Sequence, residues 1–122
     1  MRNAIANRFP NSLKEEGKLF ENYVLTEILK LGFQVKYWLT KTGLEVDFIA
    51  EKNGFMIPVE TKINASPEKI ERGLRSFIDK YKPKLAVVVF YEGTPGELIV
   101  NGCRVIFTDI YGFLGLTNEL KK

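Results

Sequence analysis

An aspartate, followed further along the chain by a Glu-Thr-Lys run, supplies the residue types of this sequence best suited to chemistry. Asp47 precedes Glu60 and Lys62. Clustered carboxylates repel one another unless a cation neutralises them, and their hard oxygens suit Mg²⁺ or Mn²⁺. A nearby lysine can orient or help to deprotonate a water molecule and can stabilise charge that develops on a phosphate. The three residues suit metal-assisted hydrolysis of a phosphodiester, although Glu60 and Lys62 also fit ordinary polar positions on a solvated strand face.

Glu21 is a further candidate, because it lies among apolar residues on a helical wheel. At about 100° per residue, it falls in the middle of the apolar arc formed by Phe20, Val24, Leu25, Ile28, Leu29 and Leu31. Burial of an unpaired carboxylate costs free energy, so this position needs a cation, hydrogen-bond donors or a raised pKa. Two interpretations stay open: a structural ion pair with a lysine or arginine, and an acid that joins Asp47 and Glu60.

The segments around these side chains predict a helix followed by three strands. Ser12-Leu13-Lys14-Glu15 has the form of a capping box, and the helical pattern that it begins runs to Leu31 and ends at Gly32. The strands are predicted at residues 33–40, 44–50 and 55–63, with turns at Thr42-Gly43 and Asn53-Gly54.

Alternation along the second strand decides which of its side chains meet the third strand's polar residues. It places Glu45, Asp47 and Ile49 on one face, opposite Val46, Phe48 and Ala50. The second and third strands are neighbours in a hairpin, so we expect Asp47 to converge with Glu60 and Lys62 on one patch. Glu21 joins them if the first helix covers that face of the sheet.

The second half of the chain continues with a helix and further strands. Ser66-Pro67 predicts the beginning of a helix that ends before Pro83. The apolar run at 84–91 suits a central strand, and two short strands flank Asn101-Gly102, while the tail from Tyr111 is not assigned. This order predicts an α/β fold with an αβββαβ core, in which helices flank a mixed central sheet.

Composition excludes several classes of protein. The 122 residues suit one domain spanning 1–122, and the sequence has no histidine and a single cysteine. These counts exclude Ser-His and Cys-His catalysis, an internal disulfide and a Cys-rich zinc site. No apolar run approaches the roughly 20 residues of a membrane span, and no signal peptide is evident, so we expect a cytoplasmic protein without a membrane partner.

The positive charge of the chain is concentrated in one stretch. The formal net charge is +3, and the segment 62–84 holds seven basic and three acidic residues. Its basic residues are Lys62, Lys69, Arg72, Arg75, Lys80, Lys82 and Lys84. A local basic surface fits an anionic partner such as nucleic acid, and the alternative is a solvated, lysine-rich helix.

Asp47 and Glu60-Thr61-Lys62 on adjacent strands, after a helix that carries Glu21, resemble the core motif of the PD-(D/E)xK nuclease superfamily. More specifically, the sequence resembles the nuclease-like domain at the C-terminus of many prokaryotic AAA+ ATPases, over about residues 15–92. The segments that carry this resemblance are Gly17–Val24, Tyr37–Thr40, Gly43–Phe48, Ile57–Lys62, Gly73–Phe77 and Ala86–Phe90.

The resemblance implies a restriction-endonuclease-like fold and a role for each motif residue. Asp47 and Glu60 would ligate Mg²⁺ or Mn²⁺, with the Thr61 carbonyl as a further oxygen ligand. Lys62 would act on the attacking water or the scissile phosphate, and Glu21 would complete the acidic site through a metal or water. The implied function is a metal-dependent DNA endonuclease, with phosphate contacts expected from Lys69, Arg72, Arg75, Lys80, Lys82 and Lys84.

The resemblance also implies two protein partners, an ATPase region and a second copy of the chain. Residues 1–11 resemble the remnant of a linker to an ATPase region, and no Gly-rich phosphate loop occurs in this sequence. A homodimer is a further expectation, because junction-cutting relatives work as dimers.

Two other interpretations remain beside the nuclease. The superfamily includes members that keep the fold without the activity, so a catalytically silent nucleic-acid- or protein-binding module of an AAA+ ATPase is the alternative. Self-association through Phe107, Tyr111 and Phe113 competes with the simpler expectation that these aromatic residues close the core.

Overall fold

The computed structural model describes the backbone of residues 5–121 and the side chains of residues 15–117. Three helices and six strands follow in the order α1 (Ile5–Lys30), β1 (Gln34–Leu39), β2 (Glu45–Lys52), β3 (Phe55–Ala65), α2 (Arg72–Tyr81), β4 (Leu85–Gly93), β5 (Gly96–Val100), β6 (Cys103–Thr108) and α3 (Ile110–Lys121). The predicted αβββαβ order is therefore confirmed, and the unassigned tail forms α3.

The six strands form one mixed sheet in the spatial order β1-β2-β3-β4-β6-β5. β1, β2 and β3 pair as an antiparallel meander, whereas β4 lies parallel to both β3 and β6. The hairpin between β2 and β3 turns at Asn53 and Gly54, with φ of 51° and 84°, as predicted from the Asn-Gly pair. β4 is buried along most of its length, which agrees with its continuous apolar run.

Helices cover both faces of the sheet and close two apolar clusters. α2 packs on one face, where its buried residues Leu74, Phe77 and Ile78 join side chains of β2, β4, β5 and β6. α1 and α3 pack on the other face, through Val24, Ile28, Ile110 and Phe113. The predicted α/β fold with helices flanking a mixed sheet is thus confirmed. None of the helices described has an apolar run long enough to cross a bilayer.

The aromatic residues near the end of the chain close the core, with one exception. Phe107 and Phe113 are each buried in one of the two apolar clusters, as the simpler expectation had it. Tyr111 is exposed at the beginning of α3.

The beginning of α1 differs from the prediction. Its backbone is already helical at Ile5, so Ser12 does not begin the helix. A Ser-x-x-Glu pattern caps a helix only where the preceding backbone leaves the helical conformation, and here it does not. Of the predicted linker remnant, residues 5–11 are helical, and residues 1–4 lie outside the described part of the chain.

The end of α1 lies where it was predicted. Gly32 adopts a φ of 91°, which favours glycine and stops the helix. Lys52 Nζ donates a hydrogen bond of 2.8 Å to the carbonyl of Leu31, so a lysine of β2 satisfies one of the carbonyls exposed at this helix end.

The beginning of α2 was also wrongly predicted. Ser66-Pro67 forms a turn, in which the N–H of Glu68 donates to the Ser66 carbonyl at 2.8 Å, and the helix begins only at Arg72. Glu71 has extended backbone (φ −69°, ψ 155°), which prevents the turn from continuing into the helix. The predicted end is confirmed, because Lys82 adopts a left-handed conformation directly before Pro83.

The faces of β2 depart from simple alternation because the strand carries a bulge. Lys36 of β1 pairs with Ile49 and Trp38 pairs with Val46, so β2 has one residue more than β1 over this interval. Val46 and Ile49 consequently lie in the same apolar cluster, under α2. The prediction that Val46 shares a face with Phe48 and Ala50 was therefore wrong, since those two residues lie in the cluster under α1.

Candidate functional site

Asp47 and Glu60 are joined by hydrogen bonds between the backbone of one strand and a side chain of the other. The N–H of Asp47 donates to Glu60 Oε1 at 3.2 Å. Asp47 Oδ2 in turn accepts from the N–H of Thr61 at 2.8 Å and from the Thr61 hydroxyl at 3.0 Å. The structure thus brings together Asp47, Glu60 and Thr61, as the motif predicted.

These hydrogen bonds lie where the ladder between β2 and β3 ends. The backbone pairing of the two strands runs from Lys52 opposite Phe55 to Phe48 opposite Val59. Asp47, the next residue of β2, lies at the bulge, so its N–H is satisfied by a carboxylate instead of a carbonyl. Bulges commonly re-aim side chains beside functional sites, and this one holds Asp47 against β3.

Glu60 is the more deeply buried carboxylate of the pair. Only 7% of its surface is exposed, and it is the one charged residue buried in the part of the chain with described side chains. Burial is the main cause that raises the pKa of Glu60 to about 8, and the negative charge of Asp47 raises it further. The hydrogen bond from Asp47 and the charge of Lys62 act in the opposite direction. A carboxyl with this pKa keeps its proton at neutral pH unless a cation compensates the cost of ionising it in this buried position.

Lys62 lies two residues further along β3 and is held by an acid that the sequence analysis did not single out. Its Nζ donates to Glu71 Oε2 at 2.7 Å, across the segment that leads into α2. This hydrogen bond and the charge of Lys62 lower the pKa of Glu71. An acid at the position before a helix was available as a signal, but the helix had been predicted to begin earlier, at Ser66.

Glu21 lies near the site without joining the carboxylate pair closely. Burial is the largest cause that raises its pKa, followed by the charge of Asp47, while Lys18 lowers it. Of the two interpretations of Glu21, the ion pair with a lysine or arginine is not formed within the described side chains, where the ion pairs involve other acids. Among the described residues, no group of three or more acidic, cysteine or histidine side chains is arranged to hold a metal ion.

Two small cavities meet at the carboxylates. One, of about 340 Å³, is lined by residues that include Asp47, Glu60, Thr61 and Arg72. The other, of about 270 Å³, extends from Glu60 towards the loop before α2 and includes Lys69. Glu60, Lys62 and Glu71 line both cavities. A ligand that enters either cavity would therefore meet the buried carboxylate and the lysine.

The position of α2 beside these cavities depends on a close approach of two backbones. A Cβ atom at Gly73 would overlap the carbonyl oxygen of Glu45. The absence of a side chain at Gly73 lets the first turn of α2 lie directly on the beginning of β2. The contact places Glu71 and Arg72 beside the carboxylate pair.

The predicted phosphate-binding residues fall into two groups. Lys69, Arg72 and Arg75 are exposed around the beginning of α2, where Lys69 and Arg72 line the two cavities at the carboxylates. Lys80, Lys82 and Lys84 are exposed at its other end, about 15 Å away for a helix of ten residues. The structure therefore brings only the first group to the site.

No curated protein matches the chain. Residues 16–107 match a family described as a domain of unknown function, DUF4143, and this match covers α1 from Glu16 onward and all six strands except the last residue of β6. The chain belongs to the DUF4143 family.

Proposed function

We propose that this protein is a metal-dependent DNA endonuclease domain, which hydrolyses phosphodiester bonds at the cavity around Asp47 and Glu60. The observation that carries the proposal is the pair of hydrogen bonds, from the N–H of Asp47 to Glu60 and from the N–H of Thr61 to Asp47, that holds the two carboxylates together where the pairing of β2 with β3 ends. Lys62 follows two residues after Glu60 on the same cavity wall. The order of these residues supports the resemblance to PD-(D/E)xK nucleases.

The donor atoms of the site fit a hard divalent cation. Asp47 and Glu60 each use one carboxylate oxygen for the hydrogen bonds between the strands, which leaves their second oxygens for a ligand. Mg²⁺ is commonly held by one or two carboxylates together with substrate phosphates, so a third acid is not required. Asp47, Glu60 and the Thr61 carbonyl would hold Mg²⁺ or Mn²⁺. When bound, the cation would lower the pKa of a water molecule and stabilise charge on the phosphate.

The protein's own residues would supply the remaining interactions. Thr61 fixes the rotamer of Asp47 through two hydrogen bonds, which reduces the reorganisation needed when substrate enters. Lys62 would donate to the scissile phosphate or to the attacking water, and Glu71 holds its ammonium at the cavity. Glu21, whose pKa is raised, would accept or hold a proton at the edge of the acidic site.

The basic residues around the beginning of α2 would position the DNA backbone. Lys69 and Arg72 line the cavities that contain the carboxylates, and Arg75 is exposed one turn further along α2. Contacts of this kind bind phosphates without reading sequence and weaken as the salt concentration rises.

A catalytically silent binding module of a larger ATPase is the second candidate. Two observations favour it: Lys62 is engaged by Glu71 at 2.7 Å, and the described residues include no group of three acids arranged to hold a metal ion. In this case the basic surface would bind nucleic acid or a protein, while the carboxylates would bind a metal weakly.

The decisive experiment compares nicking of a supercoiled plasmid in Mn²⁺ by the parent protein and by Asp47→Ala and Lys62→Ala. We expect both variants to lose nicking, because each removes a group that acts at the phosphate. Glu27→Gln and Lys30→Ala are matched controls, since this ion pair, with an N–O distance of 3.4 Å, lies on α1 and lines neither cavity. Equal nicking by all five proteins would indicate a contaminant and contradict the proposal.

Calorimetric titration with Mn²⁺ separates the two candidates. Binding that Asp47→Ala abolishes, accompanied by nicking, supports the endonuclease. Absence of both in a folded protein that still binds DNA supports the silent module.

A further inference from the structure

A larger cleft lies at the hairpin end of β3, away from the carboxylates. Its volume is about 520 Å³, within the range of about 300–1,000 Å³ common for ligand sites. It is lined by Gly54, Phe55, Met56, Ile57, Tyr81, Lys82, Pro83, Lys84, Leu85 and Arg104. Phe55 and Glu60 are five residues apart on β3, so the cleft is about 17 Å from the carboxylate pair.

Two aromatic rings are exposed in this cleft although large apolar surface is usually buried. Phe55, at the hairpin end of β3, is 55% exposed, and Tyr81, the last residue of α2, is 43% exposed. The Tyr81 ring is supported from behind by Phe77, with centroids 4.6 Å apart, and by Trp38 at 6.4 Å. Packing against these two rings holds the Tyr81 ring in place, and its uncovered part faces solvent.

The charged side chains that line this cleft are all basic. Lys82 and Lys84 line the cleft, and the described residues that line it include no acid. Lys80 adds a further cation, with Nζ 5.6 Å from the centroid of the Tyr81 ring. Arg104 contributes less charge, because Glu97 accepts two hydrogen bonds from it, at 2.9 and 3.0 Å. An anionic ligand with flat, apolar parts would complement this surface.

We infer that the cleft binds unpaired nucleotides of a single-stranded nucleic acid, with bases stacked on Phe55 and Tyr81 and phosphates near Lys82 and Lys84. Every base offers a face for stacking, and exposed aromatic rings beside basic side chains are the usual means of binding single strands. A duplex keeps its bases stacked inside, so it could use the lysines but not the rings. The inference rests on the proposed function only in the class of ligand, since binding here requires neither a metal nor cleavage.

The test is the anisotropy of a fluorescein-labelled 20-nucleotide oligo(dT), titrated with the protein in EDTA so that no cleavage occurs. Phe55→Leu and Tyr81→Leu keep an apolar side chain but remove a stacking ring. We expect each to weaken binding at least about fivefold, in line with the stacking contribution of single aromatic residues. Tyr81→Phe keeps the ring and should bind as the parent does. Tyr111→Leu, at a residue 79% exposed on α3, is the matched control and should also bind normally.

Two further measurements identify the ligand. Lys82→Gln with Lys84→Gln should reduce the slope of log K against log salt by about 0.7 for each phosphate that the protein no longer neutralises. A 20-base-pair duplex should bind equally to the parent and to Phe55→Leu. Oligo(dT) binding is measured in EDTA and plasmid nicking in Mn²⁺, so the parent protein can lack either one without the other, and the two ideas fail independently.

The inference is overturned if the leucine variants bind oligo(dT) as tightly as the parent while folding normally by circular dichroism. It is also overturned if the parent binds vesicles containing phosphatidylserine but not oligo(dT), and Phe55→Leu abolishes that binding. The cleft would then be a membrane-surface contact.

Discussion

Asp47 and Glu60 lie on neighbouring strands, and the carboxylate of Glu60 takes the place of a backbone carbonyl as acceptor for the N–H of Asp47, at 3.2 Å. Asp47 in turn accepts a hydrogen bond from the N–H of Thr61, the residue after Glu60, at 2.8 Å. The two acids are therefore held together by the end of the β2–β3 ladder, although their negative charges repel each other.

The stability of the metal-free protein should fall as the pH rises through the range in which Glu60 retains its proton only in the folded state. The pKa of Glu60 is about 8 in the fold, against an ordinary value of 4.5. Below about pH 4.5 both states hold the proton. Above it the unfolded state ionises first, and this lowers its free energy relative to that of the folded state. Unfolding free energy should therefore decrease by a few kcal/mol, in order of magnitude, up to about pH 8.

Glu60→Gln should remove most of this pH dependence, since an amide has no proton to lose. Thermal unfolding in EDTA at pH 5 and pH 8 checks it, and the variant should be relatively more stable at pH 8. A parent protein equally stable at both pH values, after correction for the control Glu27→Gln, would contradict the assignment.

Asp47→Asn should lower the pKa of Glu60, because it removes a negative charge while its amide oxygen can still accept from Thr61. The carboxyl ¹³C shift of Glu60, followed by NMR as the pH is changed in EDTA, measures the effect directly. A pKa unchanged by the substitution would mean that burial alone raises it. Glu27→Gln, which removes a remote carboxylate, should leave the titration of Glu60 as it is in the parent.

Gly73→Ala should destabilise the fold by about 1–3 kcal/mol, because the new Cβ overlaps the carbonyl oxygen of Glu45 and forces α2 away from β2. Chemical denaturation gives the free energy of unfolding. Gly115→Ala is the matched control, since no atom lies within 4 Å of a Cβ built there, in α3. That substitution should stabilise the protein by about 0.5–1 kcal/mol. Equal effects of the two substitutions would show that the close approach is unimportant.

Glu71→Gln should change unfolding free energy by no more than about 1 kcal/mol, because the ion pair with Lys62 is partly exposed. Nicking should nevertheless fall about 10- to 100-fold if Glu71 positions the ammonium of Lys62. The double variant with Lys62→Ala should be no slower than Lys62→Ala alone, since Glu71 would act only through that lysine. A further loss in the double variant would indicate a separate role for Glu71.

Much of the fold followed from local signals. The Asn53-Gly54 pair fixed the hairpin, the apolar run of β4 indicated a central strand, and Pro83 marked the end of α2. The first residues of α1 and α2 were harder to predict, because a capping pattern marks a possible beginning of a helix but does not exclude helix before it. For α2 the error had the opposite sign, since Ser66-Pro67 forms an isolated turn and the helix begins only at Arg72.

The candidate site was predictable in its residue types and less so in its geometry. Asp47 and Glu60 were expected together from strand neighbours, and they are. The bulge that aims Asp47 at β3 depends on pairing with β1, which no local pattern in β2 reveals. Glu71 was missed for a related reason, because its contact with Lys62 depends on where the loop before α2 crosses the end of β3.

Trp38 gives the molecule a built-in fluorescent reporter. It is the single tryptophan of the sequence, and its indole packs edge-on against Phe77 of α2, with ring centroids 5.3 Å apart. Its strand partner, Val46, adjoins the bulge that carries Asp47. Any displacement of α2 from the sheet would change the polarity around this indole, so its emission wavelength would register rearrangement beside the carboxylates without an attached dye.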